Sequence, residues 1–88
     1  MNVHQANKII LEPYSTEKTS IMVEHEGKLC FIVDRAANKP EIIQAIELLY
    51  EQKVTKVNTA ITIRGKKAFV KFENVEKAND LARQIGML

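Results

Sequence analysis

The sequence predicts a single α+β domain, residues 1–88, built on an antiparallel sheet, and three observations lead there. Segments with strand and helix periodicity follow one another in the order strand, helix, strand, helix, strand, strand, helix. No Ser- or Pro-rich linker, repeat or low-complexity stretch interrupts that order. Eighty-eight residues with 45% hydrophobic content suffice for one core that buries roughly 60 to 65% of the unfolded chain's surface, and leave no room for a second.

Ile9-Ile10-Leu11 is a short apolar run halted by Glu12-Pro13, and Pro13 holds Glu12 extended, so a brief first strand is expected. Ser15 and Thr16 then offer helix N-caps, with Glu17 suited to the positive end of a helix that runs to about His25, Ile21 and Met22 facing inward, until Gly27 stops it. Lys28 to Val33 is apolar without alternation, which a half-exposed sheet would not tolerate, so this strand should be covered on both faces.

Asn38-Lys39-Pro40-Glu41 reads as a helix start, with Asn38 as N-cap, Pro40 in the permissive first turn and Glu41 as the reciprocal partner of a capping box. Ile42, Ile43, Ile46, Leu49 and Tyr50 then recur at helical spacing, while Glu41, Gln44, Glu47 and Glu51 give the helix an acidic outer face. Asn74 caps a last helix with Ala78, Leu81, Ala82 and Ile85 inward and Gly86 as its C′ stop.

Between these helices lies the chain's positive charge. From Gln52 to Phe72 there are six cations, Lys53, Lys56, Arg64, Lys66, Lys67 and Lys71, and no carboxylate, although the whole chain has 13 basic and 11 acidic residues. The net charge of +2 is too mild to argue for nucleic acid, so only its distribution is informative. The segment alternates as a strand, turns at Arg64-Gly65-Lys66 and alternates again, which fixes the cations on a hairpin. An edge that needs only solubility mixes signs, whereas a one-sign ribbon suits phosphates.

Val57, Thr59, Ile61 and Ile63 should point one way, and Lys56, Asn58, Ala60, Thr62 and Arg64 the other. In the returning strand Lys67 and Lys71 flank Phe69 on one face, a cation and aromatic pattern suited to unpaired RNA. An aromatic in a strand is more often core, and both readings of Phe69 stay open. Asn58 and Thr59 could bond to ribose and phosphate or to neighbouring backbone.

The only cysteine, Cys30, sits in an apolar strand, where a small buried hydrophobe is its ordinary role, and it has no partner for a disulfide. His4, in a chain end expected to be disordered, and His25, on the surface, have no identifiable partner. No Gly-rich phosphate loop or Cys/His cluster is present, so neither enzyme nor cofactor is expected. Met1 to Asn7 has no signal-peptide pattern and no apolar run approaches the about 20 residues that span a bilayer, so a soluble, unexported chain without membrane insertion is expected.

Three segments, in this order and spacing, resemble the family of large-subunit ribosomal protein twenty-three. They are Pro13-Tyr14-Ser15-Thr16-Glu17-Lys18, Val57-Asn58-Thr59 and Lys66-Lys67-Ala68-Phe69-Val70-Lys71, and the resemblance spans Ile9 to Ile85. It implies α/β/α layers, with helices on both faces of a four-stranded antiparallel sheet of order 1-2-4-3. It further implies rRNA binding beside the nascent-peptide exit tunnel, among neighbouring ribosomal proteins in the cytoplasm. The candidate rRNA contacts are Lys18, Lys56, Asn58, Thr59, Arg64, Lys66, Lys67 and Lys71. Glu17 matches the glutamate that docks trigger factor in bacterial members, and it also suits a helix N-terminus. The family's bacterial members carry a long loop between strands three and four, which Arg64-Gly65-Lys66 replaces with a direct turn. The compact form resembles the archaeal type, which makes the signal recognition particle and the translocon the implied docking partners. Phe72-Glu73 also departs from the family's usual leucine. Without the resemblance, a small regulatory or protein-interaction domain is the competing reading, its hairpin meeting an acidic partner and its acidic helix a basic one.

Overall fold

The computed structural model describes residues 1–86. Its elements are α1 (Val3–Ile9), β1 (Ile10–Pro13), α2 (Glu17–Glu26), β2 (Lys28–Val33), α3 (Lys39–Tyr50), β3 (Val54–Thr62), β4 (Gly65–Phe72) and α4 (Val75–Gln84). The four strands form one antiparallel sheet of order β1-β2-β4-β3.

Helix α1 was not expected, and it corrects the reading of a disordered chain end around His4. Its signal was present as a capping box: the Asn2 side chain accepts from the Gln5 amide at 2.8 Å, and the Asn2 amide donates to Gln5 Oε1 at 3.1 Å. Ala6 then buries completely against the core. Helix α2 starts after Thr16, whose hydroxyl accepts from the Thr19 amide at 3.3 Å while Thr19 Oγ1 accepts from the Thr16 amide at 2.7 Å. Its inner stripe is Thr19 and Val23, one turn apart; Ile21, expected inside, is 53% exposed, and Met22 is half-buried. A helix with so little hydrophobic contrast gives periodicity little to read.

Helix α3 begins as expected: Asn38 accepts from the Glu41 amide at 2.9 Å and donates its own amide to Glu41 Oε1 at 3.0 Å. The acidic outer face is not wholly free, because Glu47 Oε2 accepts the Val54 amide at 3.0 Å and ties the helix to the start of β3. Asn74 caps α4, and Ala78, Leu81 and Ala82 are buried.

Register assigns the paired strand residues to two faces. Leu29 pairs with Val70, Phe31 with Ala68 and Val33 with Lys66, while Val57 and Thr59 lie opposite Val70 and Ala68. This is the core face. Leu29, Phe31, Val33, Ala68, Val70 and Phe72 are all buried in one cluster to which all four helices contribute. Val54 and Val57, three residues apart, both reach it because a β-bulge at Thr55 resets the alternation.

The opposite face is defined by the rows Lys28–Lys71–Lys56, Cys30–Phe69–Asn58 and Ile32–Lys67–Ala60. Cys30 and Ile32 are buried, so β2 is covered on both sides as its unalternating sequence required. Toward β4 and β3 the cover thins: Phe69 and Lys67 are half-buried, and Lys71, Lys56, Asn58 and Ala60 are exposed.

The hairpin turn is one residue earlier than expected. Thr62 pairs with Gly65 across the two-residue turn Ile63-Arg64, and Thr62 Oγ1 donates to the Gly65 carbonyl at 2.9 Å. Gly65 takes φ +128° as the first residue of the returning strand, a conformation that favours glycine. The tight closure leaves Ile63 fully exposed at the tip.

Candidate nucleic-acid interface

The register sets Lys28, Lys71 and Lys56 in one row, three lysines side by side on β2, β4 and β3. Neighbouring strands lie about 4.8 Å apart, so their stems leave the sheet closely spaced. Like charges directly opposite each other on a sheet are destabilising. Lys28 is offset by Glu26, with Nζ 3.7 Å from a carboxylate oxygen. Among the described residues Lys56 and Lys71 make no ion pair. An anion set over this row would offset the repulsion that the fold itself leaves in place.

One row along is Phe69, between Cys30 and Asn58; the next holds Lys67, whose Nζ lies 4.0 Å from the centroid of the Tyr14 ring. Arg64, from the hairpin turn, brings its guanidinium carbon within 5.8 Å of the same ring. Two cations of the basic hairpin are thus held on an aromatic that precedes α2 in the chain.

Of the residues expected at an RNA surface, Lys56, Asn58, Lys67 and Lys71 therefore share one face, with Arg64 at its end. Lys66 and Thr59 belong to the other face. Lys66 pairs with Val33, and its ammonium donates to the Ala37 carbonyl in the connection to α3, so this lysine holds the core face closed. Thr59 is half-buried opposite Ala68. The alternation of strand side chains separates these two from neighbours that look equivalent in sequence. Glu17 and Lys18 stand exposed in the first turn of α2.

Two residues were missed. Lys28 lies outside the acid-free stretch, and its signal was parity with Cys30 and Ile32, interpretable only once β2 is known to pair with β4. Tyr14 was noted as part of a motif, and no role for its ring follows until Lys67 is placed above it.

The face carries no reactive constellation. Burial pushes the Cys30 thiol up from its ordinary 9.0 to about 11, an effect that nearby Lys67 only partly opposes, so the nucleophilic thiolate is suppressed. Among the described residues no group of three or more His, Cys, Asp and Glu side chains could hold a metal, and no helix is long and apolar enough to cross a membrane. An open pocket of about 670 Å³ lies between Glu51–Lys53 and Glu73–Lys77, at the end of β3 and β4 opposite the hairpin turn.

The raised thiol predicts a pH effect. Up to about pH 8 folded and unfolded chains both keep the Cys30 proton; between about 9 and 11 the unfolded chain loses it while the folded chain holds it, so stability falls as pH rises. The expected total is about 2 to 3 kcal/mol across that window. Urea midpoints at about pH 8 and about pH 10.5 should drop further for the natural chain than for Cys30→Ala. Parallel declines would show that Cys30 is not responsible.

The family model for ribosomal protein L23 matches residues 8–85. A large ribosomal subunit protein uL23 from Methanospirillum hungatei is 46% identical over 81 residues, covering 91% of this chain and 99% of that protein. The uL23 protein from Methanobrevibacter smithii is 46% identical over 80 residues, covering 90% and 93%. Only residues 1–7 and 86–88 fall outside the match, which takes in β1 to β4 and with them the whole lysine face, and the chain belongs to the ribosomal protein L23 family.

Proposed function

We propose that this protein is a structural, non-catalytic constituent of the large ribosomal subunit in the cytoplasm, and that the lysine face is where it holds large-subunit rRNA. The observation that carries the assignment to this face is the Lys28–Lys71–Lys56 row on a rigid sheet, with Lys67 and Arg64 beyond it. Phosphate contacts from such a surface position the protein without reading sequence. Family membership supports a place beside the nascent-peptide exit, among neighbouring ribosomal proteins. The two-residue turn at Ile63-Arg64 ends the hairpin without a long extension, so this chain sits beside the tunnel and does not line it.

Binding of a large-subunit rRNA fragment across a salt series tests the reading. Four or five lysine-face cations on phosphates should make log K fall against log salt with a slope of roughly −3 to −5. Lys56→Glu with Lys71→Glu, both exposed, should weaken binding and flatten that slope while the domain stays folded, since changes to solvent-facing charge alter stability little. Lys66→Glu belongs in a different class, because it leaves the Ala37 carbonyl without its donor. A flat salt response, or equal affinity for unrelated RNA of the same length, would sink the rRNA assignment.

The exposed first turn of α2 is the proposed docking point for the signal recognition particle and the translocon, with Glu17 as its charged contact. Glu17→Ala should spare rRNA binding and lower recruitment of these factors to ribosomes. Unchanged recruitment would leave Glu17 as a helix-end residue.

A further inference from the structure

We infer that the lysine face takes an unpaired nucleotide, its phosphate over the lysine row and its base against the ring of Phe69. The inference rests on the rRNA-binding reading above and goes beyond it by naming the kind of RNA this face accepts. Phe69 lies on a central strand, between two neighbours of the sheet, yet it is half-buried and is absent from both the buried core and the apolar side chains packed against it. Its neighbours along the strand on the same face are Lys67 and Lys71, each about 7 Å away. An aromatic so placed adds less to the core than its size allows, while two ammonium groups stand ready to hold the phosphates on either side of a stacked base.

The surroundings of the ring fit one nucleotide. On one side, Lys71 and Lys56 supply charge that no carboxylate among the described residues neutralises. Directly opposite Phe69 on the edge strand is Asn58, exposed, with an amide that can both donate to and accept from a base edge. On the other side, Lys67 rests 4.0 Å from the centroid of the Tyr14 ring, which fixes where its charge stands beside Phe69. A duplex could use the lysines but not the ring, because its bases are stacked on one another and its backbone and ribose hydroxyls meet the protein first.

The test uses the full chain with two probes, a single-stranded oligouridylate of about 12 nucleotides, whose weakly stacked bases leave one inserted 2-aminopurine bright, and an RNA duplex of the same length, a span within reach of one such surface. The single strand should bind more tightly than the duplex, and binding should quench 2-aminopurine fluorescence. Phe69→Leu, checked for its fold by circular dichroism, should lower single-strand affinity by roughly 5- to 150-fold, while duplex affinity and the salt slope remain. Asn58→Ala should reduce any preference among bases and leave the salt slope in place. The quench needs no variant, so the inference stays open to refutation even if Phe69→Leu folds poorly. Absence of the quench, or equal losses on strand and duplex, overturns it. If the large-subunit rRNA fragment still binds with steep salt dependence in either case, only the stacked nucleotide falls. Loss of steep salt dependence on every RNA removes the rRNA reading as well.

Discussion

Phe31→Ala is expected to lower the stability of the folded domain by about 3 to 5 kcal/mol. Phe31 is fully buried in β2, paired with Ala68 on the core face, and its ring stacks on Tyr50 of α3 with centroids 5.8 Å apart and planes at 23°. Removing the ring opens a cavity at the contact that fastens α3 to the sheet, and a close-packed interior relaxes only partly into such a space. Domains of this size are stable by roughly 4 to 13 kcal/mol in all, so the variant should be close to unfolding. Urea denaturation should show a midpoint shifted far down with an unchanged slope. Phe31→Leu, which keeps most of the volume and loses the ring contact, should cost less than about 1.5 kcal/mol. Equal losses for the two substitutions would mean that the ring contact, and not the cavity, governs this site.

Gly27→Ala is expected to cost about 2 to 3 kcal/mol for a different reason. Gly27 ends α2 at φ +66° and ψ +30°, where an L side chain is disfavoured by about 1 to 2 kcal/mol. A Cβ added there would also lie 3.2 Å from both the Cα and Cγ2 of Val75, the first residue of α4. The same glycine donates its amide to the Val23 carbonyl at 3.1 Å and accepts from the Phe72 amide at 3.2 Å, so the backbone cannot shift without loosening α2 or the end of β4. Thermal melts of Gly27→Ala, Val75→Ala and the double variant separate the two contributions. The double variant should recover the part due to Val75 Cγ2 and keep the conformational part. Strict additivity of the single effects would show that Val75 Cγ2 is not the obstacle.

Much of the local structure could be read directly because its causes are local. The capping box of Asn38 and Glu41, the left-handed stop at Gly27 and the unalternating run from Lys28 to Val33 each act through a few adjacent residues, and each is where the sequence places it. The misreadings fall where cues were weak or went unused. Ile21 was placed inside because α2 has little hydrophobic contrast, and α1 was overlooked although Asn2 and Gln5 carry the same capping logic as Asn38 and Glu41. The hairpin turn lies one residue before the position that Gly65 suggests, because the positive φ of Gly65 serves the start of the returning strand.

The candidate surface divides in the same way. Sequence alone established that the positive charge is concentrated on a hairpin and that Lys67, Phe69 and Lys71 share a face, since alternation along one strand needs no partner. The tertiary structure decided which other residues join them. Pairing of β2 with β4 brings Lys28 beside Lys71, pairing of β3 with β4 brings Lys56 to its other side, and the approach of Tyr14 places a ring under Lys67. The same register turns Lys66 and Thr59 toward the core face. The physical reason is that a sheet face is assembled across strands: composition and periodicity determine what each strand can present, and hydrogen-bonded register alone determines what stands next to it.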